Sequence, residues 1–288
     1  MNLKKSVLAF LEINRGQTVS GEIIAGQFGV SRNAVWKVIR ELEKEGYKIR
    51  AASNRGYCLC ESNDILSVEG MVPFLFDKEA ANRIFVYPLL ESTNKTAKEM
   101  AISGAEHGTV VIADGQTAGR GRYGRSFFSP SSFGIYMSVI MRPERLRFST
   151  ATLVTSFAAV SVCRAIEAIS DKFPQIKWVN DIFINGKKVC GILTEAVTDY
   201  ESGNVEWIVV GIGINFSTPV TDFPDDIKQS AGAVFSGNNI PTTRNHLVAG
   251  IINRMMENNH KNGEAEMLEE YKNRLMMLGK RITVSGAQ

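Results

Sequence analysis

Residues 114–125 read Asp-Gly-Gln-Thr-Ala-Gly-Arg-Gly-Arg-Tyr-Gly-Arg, and this stretch decides which fold the larger part of the chain can have. Gly119, Gly121 and Gly124 have the spacing of the G-x-G-x-x-G dinucleotide fingerprint, which requires a helix to begin directly after it. The next residues, 126–130, read Ser-Phe-Phe-Ser-Pro and cannot begin that helix, and the sequence contains no Walker lysine motif. We therefore predict a glycine-rich loop instead of a dinucleotide-binding turn.

Three arginines alternate with the glycines of this loop, namely Arg120, Arg122 and Arg125. Glycine lets a backbone close tightly over a ligand, and arginine offers paired donors to carboxylate and phosphate groups. The combination favours a reaction in which two anions must be brought together.

The chain around the loop predicts a mixed α+β sheet domain, because hairpin strands alternate with helices. Asn185-Gly186 between two apolar runs is a strong signal for a two-residue hairpin turn. The predicted strands cover 84–90, 109–113, 134–141, 176–179, 182–184, 189–196 and 205–214, and the predicted helices cover 92–103, 150–169, 244–260 and 264–278.

The first 60 residues predict a winged helix-turn-helix, that is, three helices followed by a hairpin. A helix over 4–14 is followed by two more, which Ser20 and Ser31 can cap. Two short strands follow at 48–51 and 57–60, with Asn54-Arg55-Gly56 as their turn. This segment has 10 basic and 5 acidic side chains, a net charge of +5, whereas the remainder has 23 and 25, a net charge of −2.

A basic front end on a near-neutral body indicates that the front end binds a polyanion, and DNA fits the predicted fold. A helix in the major groove needs amide and guanidinium groups for base edges and cations for phosphates. The candidate DNA-binding residues are Ser31, Arg32, Asn33, Trp36, Lys37 and Arg40 on the third helix and Arg55 at the hairpin tip. One such module usually contacts a half-site, so regulation implies a dimer.

Three further motifs end predicted strands. Residues 91–94 read Glu-Ser-Thr-Asn, residues 177–181 read Lys-Trp-Val-Asn-Asp with Lys188 on the returning strand, and residues 211–215 read Gly-Ile-Gly-Ile-Asn. Glycines in the last motif allow a ligand to approach the strand closely.

Taken together, the loop and these motifs resemble the bifunctional biotin protein ligases that also repress the biotin operon, and the resemblance covers essentially the whole chain. It implies a winged helix-turn-helix at 1–62, a connector at 63–83 and a catalytic domain of the biotin/lipoate ligase type at 84–279. Residues 280–288 would begin a truncated SH3-like C-terminal domain, which is otherwise essentially absent; a strand is expected at 280–284.

The resemblance implies ATP-dependent ligation through biotinyl-5′-AMP to a lysine of a carboxylase carrier domain, with Mg²⁺ as activator and with biotin-responsive repression at operator DNA. The implied biotin-binding residues are Ser92, Thr93, Asn94, Gln116, Arg120, Gly121, Arg122 and Lys188. The implied ATP-binding residues are Arg122, Asn180, Asn215 and Phe127. Arg120, Arg122, Lys188 and Asp181 are the implied catalytic residues, and Asp181 is also the candidate Mg²⁺ ligand.

Two positions depart from the family's usual pattern: Val179 stands where proline is common, and Tyr123 where some members have another arginine. Two alternatives stay open at this point. One is a lipoate or octanoate ligase, against which the loop and Gln116 favour a ureido head group. The other is a biotin-sensing regulator with little ligase activity.

Composition limits the remaining possibilities. No run of about 20 apolar residues is present, and the N-terminus does not read as a signal peptide, so we expect a cytoplasmic protein without a membrane span. Cys58, Cys60, Cys163 and Cys190 are scattered without the ligand spacing of a zinc site, and we expect reduced thiols. A ligand-promoted homodimer is the expected assembly.

Overall fold

The computed structural model describes residues 2–52, 55–143, 151–198, 205–237, 240–257 and 263–282. Of the predicted hairpin turn at residues 54–56, Asn54 lies outside these ranges, as do residues 283–288 of the predicted C-terminal segment.

The N-terminal part is a winged helix-turn-helix, as predicted. It contains helices α1 (Leu3–Ile13), α2 (Gly21–Phe28) and α3 (Arg32–Lys44) and the antiparallel strands β1 (Ile49–Ala52) and β2 (Gly56–Leu59). The hydroxyls of Ser20 and Ser31 accept from backbone N–H groups in the first turns of α2 and α3, and this fixes where the two helices begin. Val35, Val38, Ile39 and Leu42 are buried on one face of α3.

The connector packs onto the larger domain through three short helical segments. These are the four-residue helix α4 (Val68–Met71) and the tight turns Val72–Phe74 and Lys78–Arg83. Met71 and Leu75 are buried in the same core as the large sheet, whereas α1 to β2 form a core of their own.

The larger domain is built on a seven-stranded mixed sheet in the order β3-β4-β5-β9-β8-β7-β6, which confirms the α+β prediction. Only β3 and β4 pair in parallel among these neighbours. The strands are β3 (Ile84–Leu90), β4 (Val110–Gln116), β5 (Gly134–Met141), β6 (Gln175–Lys177), β7 (Asp181–Ile184), β8 (Lys187–Thr198) and β9 (Val205–Asn215).

Helices cover both faces of this sheet. Val110 and Ile112 of β4 share a core with α6 (Ala151–Ala168), α7 (Arg244–Met256) and α8 (Gly263–Arg274). Val111, between them, packs on the opposite face with α5 (Thr93–Ile102), as the alternation of strand side chains requires. Among the described residues, no helix is both long enough and apolar enough to cross a membrane.

Several boundaries differ from the sequence prediction. Strand β6 ends at Lys177 instead of residue 179, because the chain turns there and Tyr271 of α8 donates its hydroxyl hydrogen to the Val179 carbonyl at 2.8 Å. The expected C-terminal strand is not formed over residues 280–282, and residues 283–284 lie outside the described part. Asn185 and Gly186 both have positive φ, +51° and +74°, which is the predicted hairpin turn.

Candidate active site and DNA-binding surface

A cavity of about 370 Å³ lies where the predicted motifs meet. Gln116 ends β4, Asp181 begins β7, and Lys188 lies on β8, so three separate strands deliver polar side chains to one place. The predicted residues that line the cavity are Ser92, Thr93, Asn94, Gln116, Arg120, Gly121, Arg122, Phe127, Asn180, Asp181 and Lys188. Asn215 is buried and does not line it; its side-chain amide donates to the Gly232 carbonyl at 3.0 Å.

One end of the cavity is a neutral polar recess. The Gln116 side-chain oxygen accepts from the Thr93 backbone N–H at 2.8 Å and faces its hydroxyl at 3.2 Å. The Gln116 amide nitrogen donates to the Ser129 hydroxyl at 3.0 Å. Ser92 is the N-cap residue of α5, but its hydroxyl makes no capping hydrogen bond. A hydroxyl that does not cap the helix is suited to binding a polar head group.

Asn94 lies at the back of this recess, and its amide is already engaged by the protein. It donates to the Glu195 carboxylate at 2.7 Å and to the Leu193 carbonyl at 3.2 Å, and its oxygen accepts from Ser138 at 2.6 Å. A Cβ at Gly211 would lie 2.1 Å from that oxygen. Gly211 therefore makes room for Asn94, a use of glycine that the sequence analysis assigned to a ligand.

The glycine–arginine loop folds back on itself. The Phe127 N–H donates to the Gly119 carbonyl at 2.8 Å, and the Gly121 N–H donates to the Arg125 carbonyl at 2.7 Å. A single helical turn, Arg122–Gly124, is the only helical piece described between β4 and β5. No helix begins after the last glycine, which agrees with rejecting the dinucleotide fingerprint.

Arg122 is the loop arginine that contacts the opposite wall. Its Nη1 donates to the Asn180 side-chain oxygen at 3.2 Å, and its guanidinium lies 5.1 Å from the Tyr123 ring centroid. Arg120 also lines the cavity but turns its Nη2 toward Glu91, 3.8 Å away. The pKa of Glu91 is lowered, mainly by its hydrogen bond from Lys95 and also by Arg120.

Lys188 and Asp181 form an ion pair across the hairpin, with 2.7 Å between Nζ and Oδ1. The contact lacks hydrogen-bond alignment, because that oxygen is buried and has no hydrogen-bonding partner among the described residues. The pairing depends on an irregular register between β7 and β8 near Ile182 and Phe183. The sequence analysis placed a free cation at Lys188 and missed this partner.

The structure also locates a candidate position for Mg²⁺. Among the described residues, no three Asp, Glu, His or Cys side chains cluster as a ready-made metal site. Mg²⁺ at a nucleotide usually takes one or two carboxylates, with phosphate and water oxygens completing its shell. The single Asp181 carboxylate in the cavity fits that donor set.

Phe127 forms part of the cavity floor. A Cβ at Gly213 would lie 2.6 Å from its ring, and a Cβ at Gly191 would lie 3.3 Å from it. The ring therefore fills space that two strand glycines leave open. Gly191 and Gly213, together with Ser129, Ser138 and Tyr136, are site residues that the sequence analysis did not single out for these roles.

The cysteines take no part in this chemistry. All four are free thiols. Burial raises the pKa of Cys163 to about 12 and the pKa of Cys190 well above its ordinary value, so both stay protonated and unreactive.

The DNA-binding surface is exposed as predicted. Trp36 is 47% exposed, and the Arg40 guanidinium lies 5.7 Å from its ring centroid while donating to Glu43 at 3.0 Å. The exposed predicted residues are Ser31, Arg32, Asn33, Trp36, Lys37, Arg40 and Arg55.

Comparison with known proteins agrees with both parts. Residues 86–215 match the biotin/lipoate A/B protein ligase family, and residues 4–58 match a helix-turn-helix domain. The chain is 41% identical over 230 residues to the bifunctional ligase/repressor BirA of Bacillus subtilis, which covers 80% of this chain and 70% of that relative. It is 29% identical over 242 residues to BirA of Salmonella typhimurium, covering 83% and 72%.

A solved biotin protein ligase from Aquifex aeolicus, in complex with biotin and ATP, has a TM-score of 0.57 at 27% identity over 68% of this chain and 79% of that one. The chain therefore belongs to the biotin/lipoate A/B protein ligase family. Its ligase domain preceded by a helix-turn-helix is the architecture of the bifunctional ligase/repressors within that family.

Proposed function

We propose that this chain is an ATP-dependent biotin protein ligase that forms biotinyl-5′-AMP and transfers biotin to a lysine of a carboxylase carrier domain. Its helix-turn-helix makes it a biotin-responsive repressor as well. The observation that carries the proposal is a single cavity in which a neutral polar recess lies next to Arg122, Lys188 and Arg120. The recess suits an uncharged ureido head group, and the cations suit a carboxylate and a phosphate.

The first step joins two anions. A biotin carboxylate oxygen attacks the α-phosphorus of ATP, the bond to the β-phosphate breaks, and pyrophosphate leaves. Arg120, Arg122 and Lys188 neutralise the reacting groups, and holding them in place lowers the barrier through charge stabilisation and proximity. The loop covers the acyl-adenylate and keeps water from hydrolysing it.

The second step uses the activated acyl group. A neutral lysine amine of the carrier attacks the carbonyl carbon, an amide bond forms, and AMP leaves. We propose that Asp181 accepts a hydrogen bond from the incoming amine, because its carboxylate lies in the cavity next to Lys188.

The nucleotide side of the cavity has its own residues. Asn180 and Phe127 lie on its walls, and Asn215 acts one step back by holding the Gly232 carbonyl. Mg²⁺, held by Asp181 and phosphate oxygens, supplies charge neutralisation at the pyrophosphate leaving group.

Mass spectrometry tests the ligase proposal. A biotin carrier domain incubated with this protein, biotin and Mg-ATP is expected to gain one biotinyl group, and omission of ATP is expected to abolish the gain. Lipoate and octanoate serve as matched acids. Modification by either of them in preference to biotin would contradict the proposed substrate, and no pyrophosphate release with any acid would leave only a sensor.

Regulation requires the helix-turn-helix to bind a DNA half-site in a dimer. We propose that the protein is cytoplasmic and that the bound acyl-adenylate promotes a homodimer. Sedimentation with biotin and Mg-ATP is expected to show a larger species than sedimentation without them, and unchanged sedimentation would refute this assembly.

A further inference from the structure

Arg244 begins α7 outside the cavity and is almost completely buried, with 3% of its surface exposed. Its guanidinium donates to two carboxylates from different parts of the chain. Nε lies 3.0 Å from Asp64 Oδ2, and Nη1 lies 2.7 Å from Asp114 Oδ1. The same group also binds the carbonyls of Asp64 at 2.6 Å and Gly134 at 3.1 Å.

One side of this cluster closes the base of the ligand loop. Asp114 and Gly134 are the two ends of a segment that contains all three loop arginines and Phe127. The second Asp114 oxygen accepts from the Ser132 N–H at 3.0 Å, and Ser132 has a φ of +74°. Arg244 and Asp114 thus hold both ends of the segment together.

The other side fixes the connector that leads from the helix-turn-helix. Asp64 accepts the Arg244 backbone N–H at 2.8 Å, and Asn245 donates to the Ile65 carbonyl at 2.8 Å. The carbonyl of Asn63, one residue earlier, accepts from Arg15 of the helix-turn-helix at 2.7 Å. An unbroken series of polar contacts therefore joins the loop base to the DNA-binding domain.

We infer that Arg244 is a positioning residue that couples ordering of the ligand loop to the placement of the helix-turn-helix domain. The inference rests on the proposed function and assigns its regulation to one residue. A guanidinium is a rigid planar fork, so Arg244 cannot follow a movement of Asp114 without changing its contacts with Asp64. Because the cluster is buried, water does not replace a lost contact at low cost.

Hydrogen exchange on the full chain, with and without biotin and Mg-ATP, tests this inference. In the unmodified protein, exchange is expected to slow in a loop peptide covering residues 117–132 and in a connector peptide covering residues 61–68. Asp64→Asn keeps the shape and the acceptor for α7 but removes the charge that Arg244 holds. In this variant the loop is expected to respond as before, while the connector's response falls on the order of tenfold.

Arg244→Lys is the second variant, because it keeps the charge but loses the fork, and it is expected to show the same loss. Asp171→Asn is the matched control at a carboxylate whose side chain is 94% exposed, and it is expected to leave both responses intact. Circular dichroism checks the fold of each variant.

The outcomes separate the two proposals. A connector that responds fully in both Asp64→Asn and Arg244→Lys overturns the inference, as does a connector that never responds in the unmodified protein while its loop does. A loop that does not respond to biotin and Mg-ATP in the unmodified protein overturns the proposed function as well.

Discussion

At the residue scale, Arg122 is the cation that the site depends on most. It is partly exposed and its hydrogen bonds go to Asn180 and Tyr123, so removing it leaves no buried charge unpaired. We expect Arg122→Ala to lower the rate of pyrophosphate release on the order of 10²-fold, because a preorganised donor to the reacting anions is lost. Single-turnover assays with biotin and Mg-ATP measure this.

Arg125→Ala is the matched control for Arg122. Arg125 belongs to the same loop and is exposed, and its side chain does not hold Asn180. We expect at most a small change in its adenylation rate. Equal losses in the two variants would mean that the loop contributes only general positive charge.

His246 predicts how stability depends on pH. Its ring stacks on Phe74, with centroids 4.1 Å apart, and burial, with a smaller contribution from Arg254, lowers its pKa. The unfolded chain, with an imidazole pKa of 6.5, therefore takes up the proton first as the pH falls. This contribution to the free energy of unfolding is complete above that pKa and is lost below it.

Urea unfolding of His246→Gln measures the effect. Between about pH 7.5 and about pH 6 we expect the unmodified protein to lose more unfolding free energy than the variant, because glutamine does not titrate. Identical pH dependence in the two proteins would show that His246 is not responsible.

Residue chemistry was predictable from the sequence wherever a motif carries it. The loop arginines, Gln116 and Lys188 all line the cavity. The partner of Lys188 was not predictable, because the contact with Asp181 depends on an irregular strand register. Arg244 carries no motif at all, and its role depends on Asp64 and Asp114, which are distant in sequence.

At the scale of an element, β9 is shaped by what packs on its glycines. We expect Gly213→Ala to weaken ligand binding, since the new methyl group would lie 2.6 Å from the Phe127 ring and displace it. Overpacking of this kind costs about 1–3 kcal/mol, which predicts roughly a 10- to 100-fold lower affinity if the strain falls on the bound loop. Calorimetry with biotin and a non-hydrolysable ATP analogue measures the loss.

Two variants test that explanation. Adding Phe127→Leu to Gly213→Ala removes the clash and is expected to recover part of the affinity. Gly26→Ala places its methyl group in open space on α2 and is expected to leave ligand binding unchanged while stabilising the fold by up to about 1 kcal/mol. Failure of the double variant to recover any affinity would exclude the ring clash as the cause.

Element boundaries were predictable where local chemistry sets them and not where tertiary contacts do. Ser20 and Ser31 cap their helices, and Asn185-Gly186 turns its hairpin, all from local preference. The end of β6 depends instead on Tyr271, nearly one hundred residues away in sequence, which no local pattern reports.

At the scale of the whole molecule, two separate hydrophobic cores divide the work. Val35, Ile39 and Leu59 belong to the N-terminal core, and the large sheet has its own. Because each core is complete without the other, we expect deletion of residues 1–60 to abolish DNA binding and to spare most of the ligation. A gel shift on a sequence selected from random DNA by the full chain measures the first, and carrier biotinylation the second.

The deletion also removes Arg15, whose guanidinium donates to the Asn63 carbonyl at 2.7 Å and so helps to hold the connector. Arg15→Ala in the full chain separates this contact from the loss of the DNA-binding surface. We expect it to retain DNA binding in the absence of ligand, and we expect its ligation to equal that of the deleted protein. If the deletion abolishes ligation while Arg15→Ala does not, the two cores depend on each other beyond this contact, and the independence argued here is wrong.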